Sequence, residues 1–192
     1  MRRRAHLCAD SRRYHQRRPG RAAHGVHQVS YGKFTVGARV YDLSHLDPFT
    51  LSIVVHGSIV EVDVMFSFHL FTDQKGRGPR FPHHTEERYF CLDRYQLSHD
   101  VAHFMRGAFF DASVRRQVRQ VRGEAREQYF CTDMGHGDII WTRITRRAEP
   151  NRAHIWVASA YNRNWHGQVL PHGHGVFRVT KVLASKLGIS RP

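Results

Sequence analysis

The pattern of apolar and polar positions changes abruptly near residue 30. Before that point Arg, His, Ala, Gly and Pro follow one another with no apolar period. After it, short apolar runs recur between turn residues. Residues 34–36 and 39–41 are short and β-prone, and Asp47-Pro48 marks a turn. Residues 51–56 form an apolar run, Gly57-Ser58 a turn, and residues 59–71 the clearest strand pattern in the chain. There Val60, Val62, Val64, Phe66, Phe68 and Leu70 alternate with Ile59, Glu61, Asp63, Met65, Ser67, His69 and Phe71. Side chains alternate between the two faces of a strand, so the first set is expected in a core and the second carries the polar groups. Together 51–56 and 59–71 predict a β-hairpin.

Residues 73–88 are rich in turn formers and bases, as in a long loop of the kind that carries function. A short strand over 88–92 leads into a helix capped at Asp93 or Ser98, with Leu97, Val101, Phe104 or Met105, and Ala108 at helical spacing. Over 113–126, Val114, Val118 and Val121 form one stripe and Arg115, Arg116, Arg119, Arg122 and Arg126 lie around the other side. That predicts a basic amphipathic helix, weakened at its end by Gly123. Strands are expected over 128–132, 138–145 and 153–161, with turns at Gly135-His136-Gly137 and Glu149-Pro150-Asn151. A Gly/His loop over 162–175, a short strand over 176–179 and a helix over 180–187 complete the chain. The expected fold class is α+β: an antiparallel sheet with one or two helices packed on one side and a short C-terminal helix. Residues 31–192 form a single such domain in this reading.

Charge adds a partner to this outline. The 192 residues carry 30 Lys and Arg against 16 Asp and Glu, a formal net charge of +14. Residues 1–25 hold eight arginines and one acid, Asp10. Residues 1–30 are therefore expected to be a disordered basic tail, since almost nothing in them offsets the entropy of ordering. Two readings of that tail stand: an arm that binds polyanions, or a leader upstream of the true start. No apolar stretch follows the first arginines and no run approaches membrane-spanning length, so no membrane is expected. The three cysteines, Cys8, Cys91 and Cys131, are an odd number without short-range pairing, and a reducing cytoplasm is the simplest compartment.

Tyr-Phe-Cys-Leu-Asp at 89–93 and Tyr-Phe-Cys-Thr-Asp at 129–133 are nearly identical. Their flanks differ, helix-like in one case and hairpin-like in the other, so they are not a duplicated unit. Neither cysteine has a ligand two to four residues away, and both are expected as small packed residues in strands. His172-Gly-His174, His166 and the His83-His84 pair offer imidazoles without a metal-site template, so neither a metal nor another cofactor is expected.

Five residues are candidates for chemistry. His69 lies on the polar side of the long strand beside the basic loop, where an imidazole could act as general acid or base on a phosphodiester. Arg94 or Arg143 could stabilise charge on phosphoryl oxygens. Ser159 and Tyr161 share a strand face and could hold a phosphate. The arginines at 115, 116, 119, 122 and 126 are the strongest partner signal, attractive to nucleic acid, RNA more than DNA, or to an acidic protein. Tyr129, Phe130, Trp141 and Trp156 could stack bases.

The segments 67–72 (SFHLFT), 88–98 (RYFCLDRYQLS) and 157–161 (VASAY) resemble a group of small bacterial proteins carrying S-x-H-x-F-T, R-Y-x-L-S and V-x-S-A-Y. Some of these are described as stationary-phase or heat-shock-related. The resemblance covers residues 34–185 and implies that His69, Thr72, Arg94, Tyr95, Ser159 and Tyr161 are the positions to watch. At the level of fold, the layout is similar to ribonuclease toxins of the barnase and colicin type. Three functions follow as expectations: a stress-related protein contacting nucleic acid through arginines, a metal-independent ribonuclease using His69, Arg94, Ser159 and Tyr161, or a protein-interaction module.

Overall fold

The computed structural model describes residues 30–83, 86–165 and 175–190. A small hairpin, β1 (Lys33–Val36) and β2 (Arg39–Asp42), precedes a long one, β3 (Phe49–Val55) and β4 (Ser58–Phe66). Short strands β5 (Thr72–Asp73), β6 (Arg80–Phe81) and β7 (Arg88–Phe90) form a separate three-stranded sheet in the order β5-β7-β6. Helix α1 (Leu92–Arg106) follows. Then come β8 (Ser113–Val121), β9 (Glu124–Gly135), β10 (Asp138–Arg146) and β11 (Arg152–Asn162), and finally β12 (Val176–Arg178) and α2 (Val179–Leu187). The main sheet has seven strands in the order β12-β8-β9-β10-β11-β4-β3. The later strands form the expected antiparallel meander, but β4 joins it parallel to β11. The fold is α+β.

One face of this sheet makes the core. Val60, Val62, Val64, Ile140, Ile144, Ile155, Val157 and Ala160 pack with Leu97, Val101 and Met105 of α1 and Val182, Leu183 and Leu187 of α2. Burying each large apolar side chain fully contributes about 1.5–3 kcal/mol, so this layer dominates the fold's stability. Helix α2 stops at Gly188, whose φ of +72° suits a residue without Cβ, and Ile189 N–H closes the end on the Ala184 carbonyl at 2.9 Å.

Three expectations are corrected. The strand expected over 59–71 ends at Phe66. Its alternation survives that far, with Val60, Val62 and Val64 fully buried and Ile59 exposed. Beyond it the Ser67 hydroxyl accepts a bond from the His69 N–H at 3.2 Å and starts a 3-10 turn over Phe68–Leu70. His69 therefore leaves the strand face on which the period placed it. Asp63 is also not a solvated member of that face: it is buried and gripped by Arg152 through bonds of 3.0 and 2.9 Å.

The basic helix expected over 113–126 is the hairpin β8–β9. Arg122 and Gly123 have φ of +54° and +81°, the two positive angles of a tight hairpin turn. Glycine there is a turn residue, not the weak end of a helix. Finally, Cys91 is not in a strand. It is the extended, half-buried residue before α1, whereas Cys131 is buried within β9 of the other sheet. His84, His166, His172, His174 and the basic tail lie outside the described residues.

Candidate functional site

Residues paired directly across a sheet share a face, so the register defines what stands opposite the core. In β8 and β9 that face carries Arg115, Gln117 and Arg119 against Cys131, Tyr129 and Arg126. In β10 and β11 it carries Ile139, Trp141 and Arg143 against Tyr161, Ser159 and Trp156. Both α-helices pack on the other side. Arg115, Arg119, Arg126 and Arg143 are exposed, and Tyr129, Trp141 and Trp156 half-buried. Arg116 points to the core side, where its guanidinium sits 5.5 Å from the centre of the Phe177 ring. Arg122 sits in the turn.

Two bulges adjust the pattern. In β11 one extra residue, Ala158, separates Ser159, opposite Trp141, from Val157, opposite Thr142. In β9 Gln128 is the extra residue at the step between Gln117 and Val118. Bulges re-aim neighbouring side chains. Here Ala158 and Ser159 join Gln117, Gln128, Tyr129, Trp141 and His69 around a cavity of about 320 Å³.

His69 reaches this cavity because β4 has ended. Its Nε2 meets Glu86 Oε1 at 2.8 Å, and Glu86 Oε2 lies 3.6 Å from the Arg88 guanidinium. The buried Arg88 donates through Nε to the Thr72 hydroxyl at 3.2 Å. Burial lowers the His69 pKa; the bond to Glu86 raises it, and the charges of Arg88 and Arg94 lower it again. The net effect is an imidazole neutral at pH 7. Glu86 is in turn held below the usual carboxylate range, first by its bond with His69.

Arg94, in the first turn of α1, donates to the backbone carbonyl of His69 at 2.7 Å. Trp141 Nε1 donates to the Tyr161 hydroxyl at 3.2 Å. Burial raises the Tyr161 pKa, and Arg94 is close enough to act against that rise. His69 and Ser159 thus line one cavity, Arg94 supports it from behind and Tyr161 flanks Trp141. The phenol of Tyr95 instead donates to the Asp42 carbonyl at 3.2 Å, away from this cavity. Sequence reasoning missed Glu86, Gln117 and Gln128. Glu86 sat in the loop singled out for function, but nothing in the spelling of that loop paired it with His69.

Comparison with known proteins adds a lineage. A family model, the YjaZ family, matches residues 33–186. The chain belongs to this bacterial family. No curated protein and no solved structure matches it. Among the described residues no helix is long and apolar enough to cross a membrane.

Proposed function

We propose that this YjaZ-family protein binds single-stranded RNA across the helix-free face of its main sheet. The observation that carries the reading is the arrangement on one face of Tyr129, Trp141 and Trp156 with Arg115, Arg119, Arg126 and Arg143. Aromatic rings stack bases of any identity and guanidiniums follow the phosphates, which is how sheet surfaces take unpaired strands. Fluorescence anisotropy of a labelled RNA oligonucleotide tests it. Trp156→Ala should weaken binding about 5- to 150-fold, since a base–ring stack contributes roughly 1–3 kcal/mol. Unchanged affinity, or none in the wild type, would turn attention to an acidic protein as the partner.

A second reading, cleavage of the bound strand, is favoured by the 2.8 Å contact between His69 and Glu86 at the cavity edge. Neutral His69 would accept the proton of a 2′-hydroxyl as O2′ attacks phosphorus. The P–O5′ bond would break, with the leaving oxygen protonated by water. Ser159 and Tyr161 would hydrogen-bond the phosphoryl oxygens, and Arg94 would hold the His69 backbone in place. His69→Ala should lower cleavage of total RNA, in the presence of chelator, about 10²- to 10⁴-fold. The wild-type rate should fall as pH drops below the ordinary histidine value of 6.5, because a lowered pKa keeps the base unprotonated down to that range. Intact RNA after incubation with the wild type removes this second reading and leaves the first.

A further inference from the structure

A second cavity among the described residues is larger than the one beside His69. It has a volume of about 610 Å³, is lined in part by Arg94, and lies between the loop 73–79, the end of β7, the start of α1 and Trp165. That size suits a compact organic ligand. Three cations line it, Lys75, Arg77 and Arg94. None of the three has an acidic partner within 4.0 Å among the described residues. Asp73 and Asp93 line it as well, so it offers hydrogen-bond acceptors beside an excess of positive charge. Tyr41, Phe90 and Trp165 supply ring surface.

The loop that delivers two of the cations is built to approach closely. At Gly78 a Cβ would stand 1.9 Å from the Phe90 carbonyl oxygen, so only glycine lets the chain lie flat on β7 there. Phe90 N–H bonds the Pro79 carbonyl at 2.8 Å and fixes the same approach. Lys75 and Arg77 are therefore held over the cavity by backbone geometry.

We propose that this cavity binds a nucleoside carrying a terminal phosphate monoester. The phosphate would sit among Lys75, Arg77 and Arg94, the base against the aromatic wall, and exocyclic amines toward Asp73 or Asp93. Guanidinium and ammonium donors aimed at phosphate oxygens make the strong, charge-assisted kind of hydrogen bond. Aromatic walls with acceptors beside them suit a base rather than inorganic phosphate. Arg94 also carries the His69 carbonyl at 2.7 Å. Occupancy of the cavity would therefore pull on the residue that supports the His69 site. The phosphate can come from a free mononucleotide or from the 5′ end of an RNA strand.

Calorimetric titration of the full chain with adenosine monophosphate, with inorganic phosphate, and with one oligoribonucleotide bearing either a 5′-phosphate or a 5′-hydroxyl tests this. Saturable binding of adenosine monophosphate, tighter than that of inorganic phosphate, assigns the free nucleotide. A preference for the 5′-phosphorylated strand without binding of the mononucleotide assigns the RNA end. In either case Lys75→Ala/Arg77→Ala should weaken the phosphate-dependent binding at least about tenfold. The proposal fails if neither phosphate source binds, or if the Lys75/Arg77 double substitution leaves the binding as it was.

Discussion

His45 carries an imidazole with a strongly lowered pKa, although nothing in its sequence context distinguishes it. Its Nε2 lies 2.7 Å from the Ser98 hydroxyl, and its ring stacks on His99 with centroids 3.7 Å apart. Burial, and then the neighbouring His99, lower its pKa to about 4 from 6.5. Because the folded value is the lower one, unfolding takes up a proton between the two values. The stability that neutral His45 provides is complete above about pH 6.5 and is lost as pH falls toward about 4. The side chain is only partly buried, so solvent screening limits the loss to the order of 1 kcal/mol. Urea unfolding at pH 7 and pH 4.5 should show the wild type losing that much more than His45→Asn. Equal losses would mean that the His45–His99 stack is indifferent to charge. At Asp63 the folded pKa is lowered too, so its contribution is also lost as pH falls, but the cause is different. Its desolvation favours the neutral acid, but bonds from Arg152 and Thr50 overcome that and keep the carboxylate charged.

The β8–β9 hairpin holds a conflict that its own stability does not require. Arg119 and Arg126 stand directly opposite each other, and Glu124 offsets only one of them, at 3.0 Å from Arg126. Like charges paired across strands are destabilising. Arg119→Glu should therefore raise the melting temperature slightly, by the equivalent of about 0.5 kcal/mol, while lowering RNA affinity severalfold. Paired melting and anisotropy measurements check this. If the substitution strengthens both properties, the hairpin is not a phosphate contact. Valines at 114, 118 and 121 fit a helical stripe, so local pattern favours a helix here, whereas the positive φ angles of Arg122 and Gly123 turn the chain into a hairpin.

For the molecule as a whole, the net charge of +14 ensures some attraction to any polyanion. Salt separates that general field from a defined surface. Each neutralised phosphate of a single strand contributes about 0.7 to the slope of log K against log salt. Arg119→Ala/Arg126→Ala in the full chain should make the slope shallower by about 1.4, with the basic tail contributing equally to both proteins. A slope that does not move would place the binding outside this sheet face. The YjaZ-family match spans residues 33–186 and contains both β8–β9 and the loop that holds Glu86.

Local pattern was enough to set the α+β class, the late meander, the core set Val60, Val62 and Val64, and the basic surface. These follow from side-chain period and turn chemistry, which act over a few residues. It also singled out His69, Arg94, Ser159 and Tyr161. Tertiary structure alone decided that β4 stops at Phe66, that it runs parallel to β11, and that Glu86 closes on His69 from 17 residues away. It also decided that Arg94 both lines the larger cavity and bonds the His69 carbonyl. Such pairings depend on where the chain returns in space, and the energy that selects them comes from burying distant segments together.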